Sequence, residues 1–191
     1  SRGMSFRREG PIDMRMDQTS GMTALELIGE LSDEELADVI FRYGDERRSR
    51  RIARSVKRAY DADELVTTLD LRRAIVRAVG PARVGGVDPA TRTFQALRIK
   101  VNEELRELEA LLAALPEVLE VGGVAAILSF HSHEDRLVKR AFLGGQLSAL
   151  TKRPAMASEE ECGENVRSRS AKLRVARLLP EDAELPERRA R

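Results

Sequence analysis

The stretch VAAILSFHSHEDR, residues 124–136, decides the fold class of this 191-residue chain. Its first seven residues form a short apolar run with β-branched members, which is typical of a buried, parallel strand. Gly122 and Gly123 precede the run, and residues 133–142 have helical spacing. A strand followed by a polar loop and a helix is one unit of an open α/β sheet. We therefore expect an α/β fold with a functional loop at the carboxyl end of this strand.

Helical periodicity fills the chain before this strand. Three short helices are predicted between residues 23 and 80: one opened by a capping box of Ser32 and Glu35, one at about 45–60 and one at about 69–79. After a loop at 82–93, one long continuous helix is predicted from the apolar positions Phe94, Leu97, Val101, Leu105, Leu108, Leu112 and Leu115. The alternation in KLRVARL, residues 172–178, predicts a closing strand. Two or three strands do not make a stable open sheet, so we expect an incomplete architecture.

Composition excludes several classes of protein. Aromatic residues make up 4% and there is no Trp, so a platform of stacked bases is not expected, and RNA contacts would rely on arginine and backbone. The single cysteine, Cys162, excludes an internal disulfide and favours a reducing cytosol. No apolar run approaches the roughly 20 residues of a membrane span. We expect a cytoplasmic protein without a membrane partner.

Charge is balanced in sum and segregated in sequence. Lys and Arg total 33 against 32 Asp and Glu, yet two segments are strongly basic. The first contains Arg47, Arg48, Arg50, Arg51, Arg54, Lys57 and Arg58, and the second contains Arg167, Arg169, Lys172, Arg174 and Arg177. Taken alone, the first segment fits a phosphate-binding face and a solvated helix surface equally well. The repeated signal favours RNA or DNA as a partner.

The segment DPATRTFQALR, residues 88–98, places Thr91, Arg92, Gln95 and Arg98 at a helix start. Arg92 is suited to holding a phosphate there, because free N–H groups at a helix start also attract anions. Helix capping with ordinary surface charge is the alternative.

The spacing His131-x-His133-x-Asp135 resembles the opening of the metallo-β-lactamase signature. The next residue is Arg136, however, and the chain has only two histidines. Hydrolytic zinc takes three protein ligands as a rule, so we expect no metal here. A loop after a strand, with Glu134 and Asp135 near a helix start, is the favoured interpretation.

Several multi-residue blocks occur in the order typical of one family. They are SRGMSF, GPIDMRMD, YGDERRSRRIA, DPATRTFQALRIKVNEEL, LSFHSHEDR and NVRSRSAKLRV. Together they resemble the bacterial 16S ribosomal RNA (cytidine-N4) methyltransferases, which use S-adenosylmethionine to methylate a cytidine of the decoding centre. In that family the loop usually reads His-Ser-Leu-Glu-Asp-Arg, so His133 stands where leucine is common. This resemblance implies no metal.

The resemblance covers nearly the whole chain but not the family's N-terminal part, which binds the cofactor. It implies an incomplete Rossmann-like class I S-adenosylmethionine methyltransferase sheet with an inserted all-helical subdomain. The implied domains are an ordered arm (1–20), a helical RNA-side subdomain (21–88) and the C-terminal part of the methyltransferase domain (89–191). We expect a fragment, a truncated product or one piece of a split protein, and the initial Ser1 favours the fragment.

The resemblance also implies a set of site residues. Ser129, Phe130, His131 and Ser132 are expected to border the cytidine pocket. The expected RNA contacts are Arg15, Arg92, Gln95, Arg98, Arg136, Arg167, Arg169 and Lys172. No cofactor-binding residue is expected, because none of the glycine pairs at 85–86, 122–123 and 144–145 follows a strand and opens a helix.

The expected partner is 16S rRNA in the small ribosomal subunit, with a homodimer as a further possibility. A non-enzymatic RNA-binding or ribosome-assembly module derived from the enzyme is the alternative function. The two functions differ in whether methyl transfer is detected.

Overall fold

A computed structural model describes residues 2–82 and 86–181 of the chain. The chain divides into two compact units, residues 1–104 and 105–191. Neither division predicted from the sequence, after residue 20 or after residue 88, coincides with this one. The predicted domains describe the family's organisation, and they stay a prediction.

Five helices build the first unit. They are α1 (Ala24–Glu30), α2 (Asp33–Gly44), α3 (Ser49–Asp61), α4 (Thr68–Val79) and α5 (Ala90–Val101). Their apolar faces meet in one core, whose fully buried side chains include Ile28, Leu36, Ile40, Ile52, Leu71, Ile75 and Leu97. The three predicted short helices are confirmed as α2, α3 and α4. Helix α1 was not predicted, because periodicity alone did not distinguish it as a separate helix.

Capping boxes start three of these helices. Ser32 Oγ accepts from the Glu35 N–H at 3.2 Å, and the Glu35 carboxylate accepts from the Ser32 N–H at 2.9 Å. This confirms the predicted box, and the pairs Thr23–Glu26 and Thr67–Asp70 repeat it at α1 and α4. Each box satisfies backbone donors that the first helical turn leaves free.

Helix α2 ends at Gly44. The left-handed conformation, however, is adopted by the next residue, Asp45, with φ 50°. Gly44 itself lies against α5, where a Cβ atom would stand 2.6 Å from the Arg92 carbonyl oxygen. Its missing side chain therefore sets how closely α2 and α5 approach.

Residues 2–20 form an irregular arm on the helical core. Ile12 and Met14 are 2% and 0% exposed, and the Phe6 and Phe94 rings meet edge-on with centroids 5.3 Å apart. Gly3 adopts φ 67°, and a Cβ there would collide with the Pro11 carbonyl oxygen. The arm is thus held by apolar anchors and by a close backbone contact that only glycine allows.

The predicted single long helix is wrong. The helix breaks at Asn102 and Glu103, where Glu103 has φ 48°, and α6 (Glu104–Val118) follows. The Asn102 side chain donates to the Met14 carbonyl at 2.8 Å and accepts from the Met16 N–H at 2.7 Å. These hydrogen bonds fix the end of α5 to the arm. The spacing of apolar residues within a helix gives no indication of such contacts.

The second unit combines the rest of α6 with a small sheet. The elements after α6 are β1 (Val124–Ser129), α7 (Ser132–Leu143), β2 (Leu147–Ala149), β3 (Ala155–Met156), α8 (Glu159–Glu164), a short 3-10 helix (Val166–Ser170) and β4 (Lys172–Leu178). The strand order is β1–β4–β2, with β3 also paired to β4, and every pairing is antiparallel. The predicted closing strand is confirmed as β4, which lies in the middle of the sheet.

The prediction of a buried, parallel strand at 124–130 is wrong on both counts for β1. Ala125 faces the core formed with Val138 and Phe142 of α7, but Val124 and Leu128 are 48% and 50% exposed. A continuous apolar run hides the alternation that marks a strand with only one covered face.

No helix in the described ranges is long and apolar enough to cross a membrane.

Candidate functional site

The connection from β1 to α7 consists of only two residues, Phe130 and His131. The Glu134 carboxylate accepts from the Phe130 N–H at 2.8 Å and from the His131 N–H at 3.3 Å. In return, His131 Nδ1 accepts from the Glu134 N–H at 3.3 Å. This is a capping box with histidine in the usual place of serine, and it fixes the loop at the carboxyl end of β1.

The hydrogen bond at Nδ1 defines the state of the His131 ring. Because Nδ1 accepts a hydrogen bond, the proton of the neutral imidazole lies on Nε2. Nε2 stands 3.3 Å from Glu134 Oε1, and the His131 side chain is 8% exposed. His131 therefore positions the loop, and its Nδ1 lone pair is already used.

Asp135 joins α7 to β4. Its Oδ1 accepts from Arg174 Nε at 2.7 Å, and Lys172 Nζ lies 3.5 Å from Oδ2. The hydrogen bond from Arg174 lowers the pKa of Asp135 below its usual value. The ligand atoms of His131, His133 and Asp135 do not converge on one point, since Asp135 faces β4 instead.

Ser129 is the last residue of β1 and pairs with Lys172 across the antiparallel ladder. It is 1% exposed, and its Oγ has no hydrogen-bond partner among the described residues. The neighbouring Phe130 side chain is 52% exposed. The predicted pocket residues thus bring a buried hydroxyl and an accessible aromatic ring to one short loop, with Ser132 exposed at the start of α7.

The predicted RNA contacts of the second unit fall into two groups. Arg136, Arg167 and Arg169 are exposed and form no ion pair within the described residues. Lys172 is partly buried and is engaged with Asp135. Three guanidinium groups are therefore available to an external anion on this unit.

The predicted contacts of the first unit have partners within the protein. Arg15 forms a two-pronged pair with Asp13, Nε to Oδ1 at 2.7 Å and Nη2 to Oδ2 at 3.1 Å, and this pair lowers the pKa of Asp13 to about 2. Arg98 forms a similar pair with Glu104, at 2.7 and 2.9 Å. The Asp13 and Glu104 carboxylates fix the positions of these two arginine side chains. Arg15 therefore helps to hold the arm, and Arg98 helps to hold the end of α5.

Arg92 and Gln95 link α5 to the turn after α2. Arg92 Nη1 donates to the Asp45 carbonyl at 3.2 Å, and Gln95 Nε2 donates to the Tyr43 carbonyl at 3.3 Å. Arg92 is still half exposed. The start of α5 already holds an anion, because Asp88 Oδ1 accepts from the Ala90 N–H at 2.9 Å and pairs with Arg72.

Three buried charges were missed by sequence reasoning, and one of them is Asp13, described above with Arg15. Glu46 is 5% exposed and lies near Arg48 and Arg92, with its Oε1 accepting from the Arg48 N–H at 2.9 Å. Arg174 is 8% exposed and pairs with Asp135. The available signal for Glu46 was that it directly precedes a run of arginines, and the alternation of β4 gave none for Arg174.

The fold and the site define an α/β protein that presents a rigid polar loop at a strand end together with exposed arginines. A model of the MraW methylase family matches residues 1–179. The chain therefore belongs to the MraW methylase family, and the predicted family is confirmed.

Curated relatives share the name Ribosomal RNA small subunit methyltransferase H. The one from Sorangium cellulosum is 68% identical over 179 residues, which are 93% of this chain and 57% of that protein. Those from Prochlorococcus marinus and Acidobacterium capsulatum are 54% and 48% identical, covering 94% and 92% of this chain and 59% of each protein. The chain thus spans somewhat more than half the length of these relatives.

A methyltransferase family implies use of S-adenosylmethionine, and the expected absence of its site from this chain stays a prediction. A Rossmann-type nucleotide site has a glycine-rich turn between a strand and a helix. In the connection between β1 and α7 that place is taken by Phe130 and His131. Gly122 and Gly123 precede β1, while Gly144 and Gly145 follow α7. Gly85 lies outside the described residues.

Proposed function

We propose that this chain carries the RNA-contacting part of an enzyme that methylates N4 of a cytidine in the decoding centre of 16S rRNA. The observation that carries the proposal is the 68% identity over 179 residues to a relative named as a small-subunit ribosomal RNA methyltransferase. The cytidine-N4 chemistry and the decoding centre rest on the resemblance of the sequence blocks quoted above.

The finer fold assignment belongs to the same proposal. A class I methyltransferase sheet is larger than the sheet of β1, β2, β3 and β4. β1 is at the edge of the described sheet and carries accessible apolar residues on its uncovered face. An edge strand of this kind is suited to pairing with a further strand. The proposed complete sheet continues from β1.

The strand-end loop is proposed to border the target base. Methylation of an exocyclic amine requires the cytidine to leave its stack and its weakly nucleophilic nitrogen to be held in position. Ser129 Oγ is a buried hydroxyl without a partner in the described residues, and it would accept a hydrogen bond from the amine. Phe130, half exposed beside it, would contact the face of the base. His131 and Glu134 would act as positioning residues.

Phosphate contacts are proposed for the eight predicted polar residues, which differ in how far they are already paired within the protein. Arg136, Arg167 and Arg169 have no ion-pair partner among the described residues. They would therefore bind phosphates without breaking an ion pair within the protein. Arg15 and Arg98 are each paired to a carboxylate, and Lys172 lies beside Asp135. Arg92 and Gln95 are anchored to backbone carbonyls, and each of the five would have to share or exchange its partner.

A non-enzymatic RNA-binding or ribosome-assembly module is the second candidate. The observation that favours it is the set of exposed guanidinium groups of Arg136, Arg167 and Arg169, which could bind RNA without a cofactor. Both candidates need RNA binding, and they differ in methyl transfer.

RNA binding of the 191-residue chain tests what the candidates share. We expect fluorescence anisotropy to show tighter binding to a transcript of the decoding region of 16S rRNA than to an unrelated structured RNA of equal length. Equal affinity for both RNAs, or no binding, would contradict the proposal. The triple substitution R136Q/R167Q/R169Q should weaken binding about 100-fold at 0.1 M salt, as expected for three lost phosphate contacts.

Methyl transfer separates the two candidates. Small ribosomal subunits would be incubated with the chain and with methyl-labelled S-adenosylmethionine, and the rRNA analysed for N4-methylcytidine by mass spectrometry. Label in cytidine would exclude the non-enzymatic module for this chain. If the chain alone gives no label and shows no heat of S-adenosylmethionine binding by calorimetry, the N-terminal part of a longer relative would be added. Label that then appears would assign the chain to the enzyme, and continued absence would favour the non-enzymatic module.

A further inference from the structure

The outer face of α3 carries a run of exposed arginines that is not among the contacts proposed above. Four exposed arginines of this helix, Arg50, Arg51, Arg54 and Arg58, form what we call the arginine stripe. We propose that the arginine stripe binds the phosphate backbone of RNA. This inference rests on the proposed function, since it takes RNA as the partner.

Helical geometry puts the four side chains on one face. At about 100° per residue, Arg50, Arg54, Arg58 and Arg51 fall at about 0°, 40°, 80° and 100°, an arc of only about 100°. The core residues Ile52, Ala53, Val56 and Ala59 occupy the opposite face and are 0–3% exposed. The stripe therefore faces away from the core of its own unit.

The stripe lacks the acidic partners that other surface arginines in this unit have. Arg42 pairs with Asp38, Arg73 with Asp70 and Arg77 with Glu64. Within residues 2–82 and 86–181, no carboxylate pairs with any member of the stripe, and Arg54 Nε donates to the Arg50 carbonyl at 3.3 Å. Other exposed arginines of this unit thus have acidic partners, whereas the single acid of α3, Asp61 at its last position, pairs with no member of the stripe.

Like charges three and four positions apart repel one another on a helix, so the stripe opposes the folding of α3. An anionic ligand with several regularly spaced charges would remove this repulsion. From Arg50 to Arg58 the stripe is about 12 Å long, and a strand of duplex nucleic acid presents a phosphate about every 3.4 Å along its axis. The stripe therefore spans about four successive phosphates of such a strand.

A lipid surface is the other polyanion to consider, and α3 is not suited to it. A helix that lies in a membrane interface inserts apolar side chains below its cationic ones. Here the apolar residues of α3 are already used: Ile52 is 0% exposed and Val56 is 1% exposed. Nothing apolar remains on the outer face, whereas guanidinium groups alone suffice for phosphates of RNA.

The test compares two triple variants of the 191-residue chain that lose the same charge. R51Q/R54Q/R58Q removes three arginines of the stripe, and R42Q/R73Q/R77Q removes three arginines that are paired to carboxylates. Binding to the 16S decoding-region transcript would be measured by fluorescence anisotropy between 0.05 and 0.5 M salt, and circular dichroism would establish that both variants fold.

We expect the stripe variant to bind about 100-fold more weakly at 0.1 M salt, with a salt slope reduced by about 2, and the paired-arginine variant to change less than about 3-fold. R51K/R54K/R58K keeps the charge and should keep the affinity within about 3-fold. If the two glutamine variants bind alike, the stripe inference is wrong while RNA binding stands. If the unmodified chain does not bind the transcript, both proposals fail.

Vesicles containing phosphatidylserine provide the remaining comparison. Retention of the unmodified chain on these vesicles, lost in R51Q/R54Q/R58Q, combined with unchanged RNA binding of that variant, would assign the stripe to a lipid surface and overturn the inference. Equal and weak vesicle binding by all variants would support RNA phosphates as the ligand.

Discussion

At Ser129 the chain buries a hydroxyl whose Oγ has no hydrogen-bond partner among the described residues. Burial of an unsatisfied polar group costs about 1–3 kcal/mol, so a side chain of this kind works against folding. The same atom lies at the end of β1, beside the loop proposed to border the cytidine. A cost to stability at the place where a ligand is proposed to bind is the expected signature of a functional residue.

Ser129→Ala should leave the free energy of unfolding unchanged or raise it by about 1 kcal/mol, because the unsatisfied hydroxyl is removed. Ser168→Ala is the matched control: Ser168 is also buried, and its Oγ donates to the Asn165 carbonyl at 2.8 Å. That variant should lose about 1 kcal/mol. Urea denaturation measures both, and a larger loss for Ser129→Ala than for Ser168→Ala would contradict the assignment.

Asp13 should make the first unit sensitive to acid. Hydrogen bonds from Arg15 lower the pKa of Asp13 from 3.8 to about 2 in the folded protein. A lowered folded pKa stabilises the protein above pH 3.8, and this stability is lost as the pH falls from about 4 to 2. After solvent screening, the pair contributes about 1–2 kcal/mol.

Asp13→Asn should therefore be less stable than the unmodified chain by about 1–2 kcal/mol at pH 7, and the difference should shrink toward zero near pH 2. Urea denaturation at pH 7, 5, 3.5 and 2.5 measures it. A difference that is constant over this range would show that the Asp13 charge is not the cause.

At the scale of elements, the two faces of helix α3 have opposite effects on stability. The inner face of α3 supplies Ile52 and Val56 to the core, and its outer face gathers arginines that repel one another. Arg54 lies four positions from both Arg50 and Arg58, so it takes part in the largest number of unfavourable pairs. Stability and RNA binding should consequently respond to Arg54 in opposite directions.

Arg54→Gln should raise the free energy of unfolding by a few tenths of a kcal/mol, about 0.5 in low salt, while weakening RNA binding about 5-fold. Thermal denaturation and fluorescence anisotropy of the same sample measure both quantities. Arg42→Gln, which breaks the exposed pair with Asp38, should move neither by as much. A destabilised Arg54→Gln would mean that Arg54 has a favourable structural role.

For the whole molecule, the sheet of the second unit is covered on one face and accessible on the other. Val124 and Leu128 of β1 are about half exposed, and β1 lies at the edge of the described sheet. Apolar edge strands promote association with other chains. In the complete sheet proposed above this surface is covered, and among the described residues it is accessible.

Leu128→Lys should reduce self-association of the chain, because a charge on an exposed edge strand opposes pairing. Light scattering as a function of protein concentration measures the effect. Phe41→Lys, at an equally exposed apolar residue of α2, is the control and should leave self-association unchanged. Equal scattering by the unmodified chain and Leu128→Lys would indicate that the β1 surface does not mediate association.

Most helices and strands were predicted correctly from the sequence, but the break after α5 and the burial and pairing of β1 were not. Capping boxes and apolar spacing are local signals, so α2, α4, α7 and β4 could be placed from residues such as Ser32 and Glu35. The break at Asn102 could not, because its cause is a pair of hydrogen bonds to Met14 and Met16, 88 and 86 positions earlier in the chain. Similarly, the apolar run of β1 contains no information on which neighbour covers it or on the direction of its partner strand.

Membership of the MraW methylase family followed from the sequence by itself, since long blocks of residues in a fixed order are specific without coordinates. The tertiary structure alone decided which charges are committed and which are free. Arg174 looks the same in sequence as Arg51 and Arg58, yet folding brings the Asp135 carboxylate, 39 positions away, to Arg174 and leaves the other two arginines exposed. The physical reason is that an ion pair depends on distances of a few ångströms between residues that the chain order does not place together.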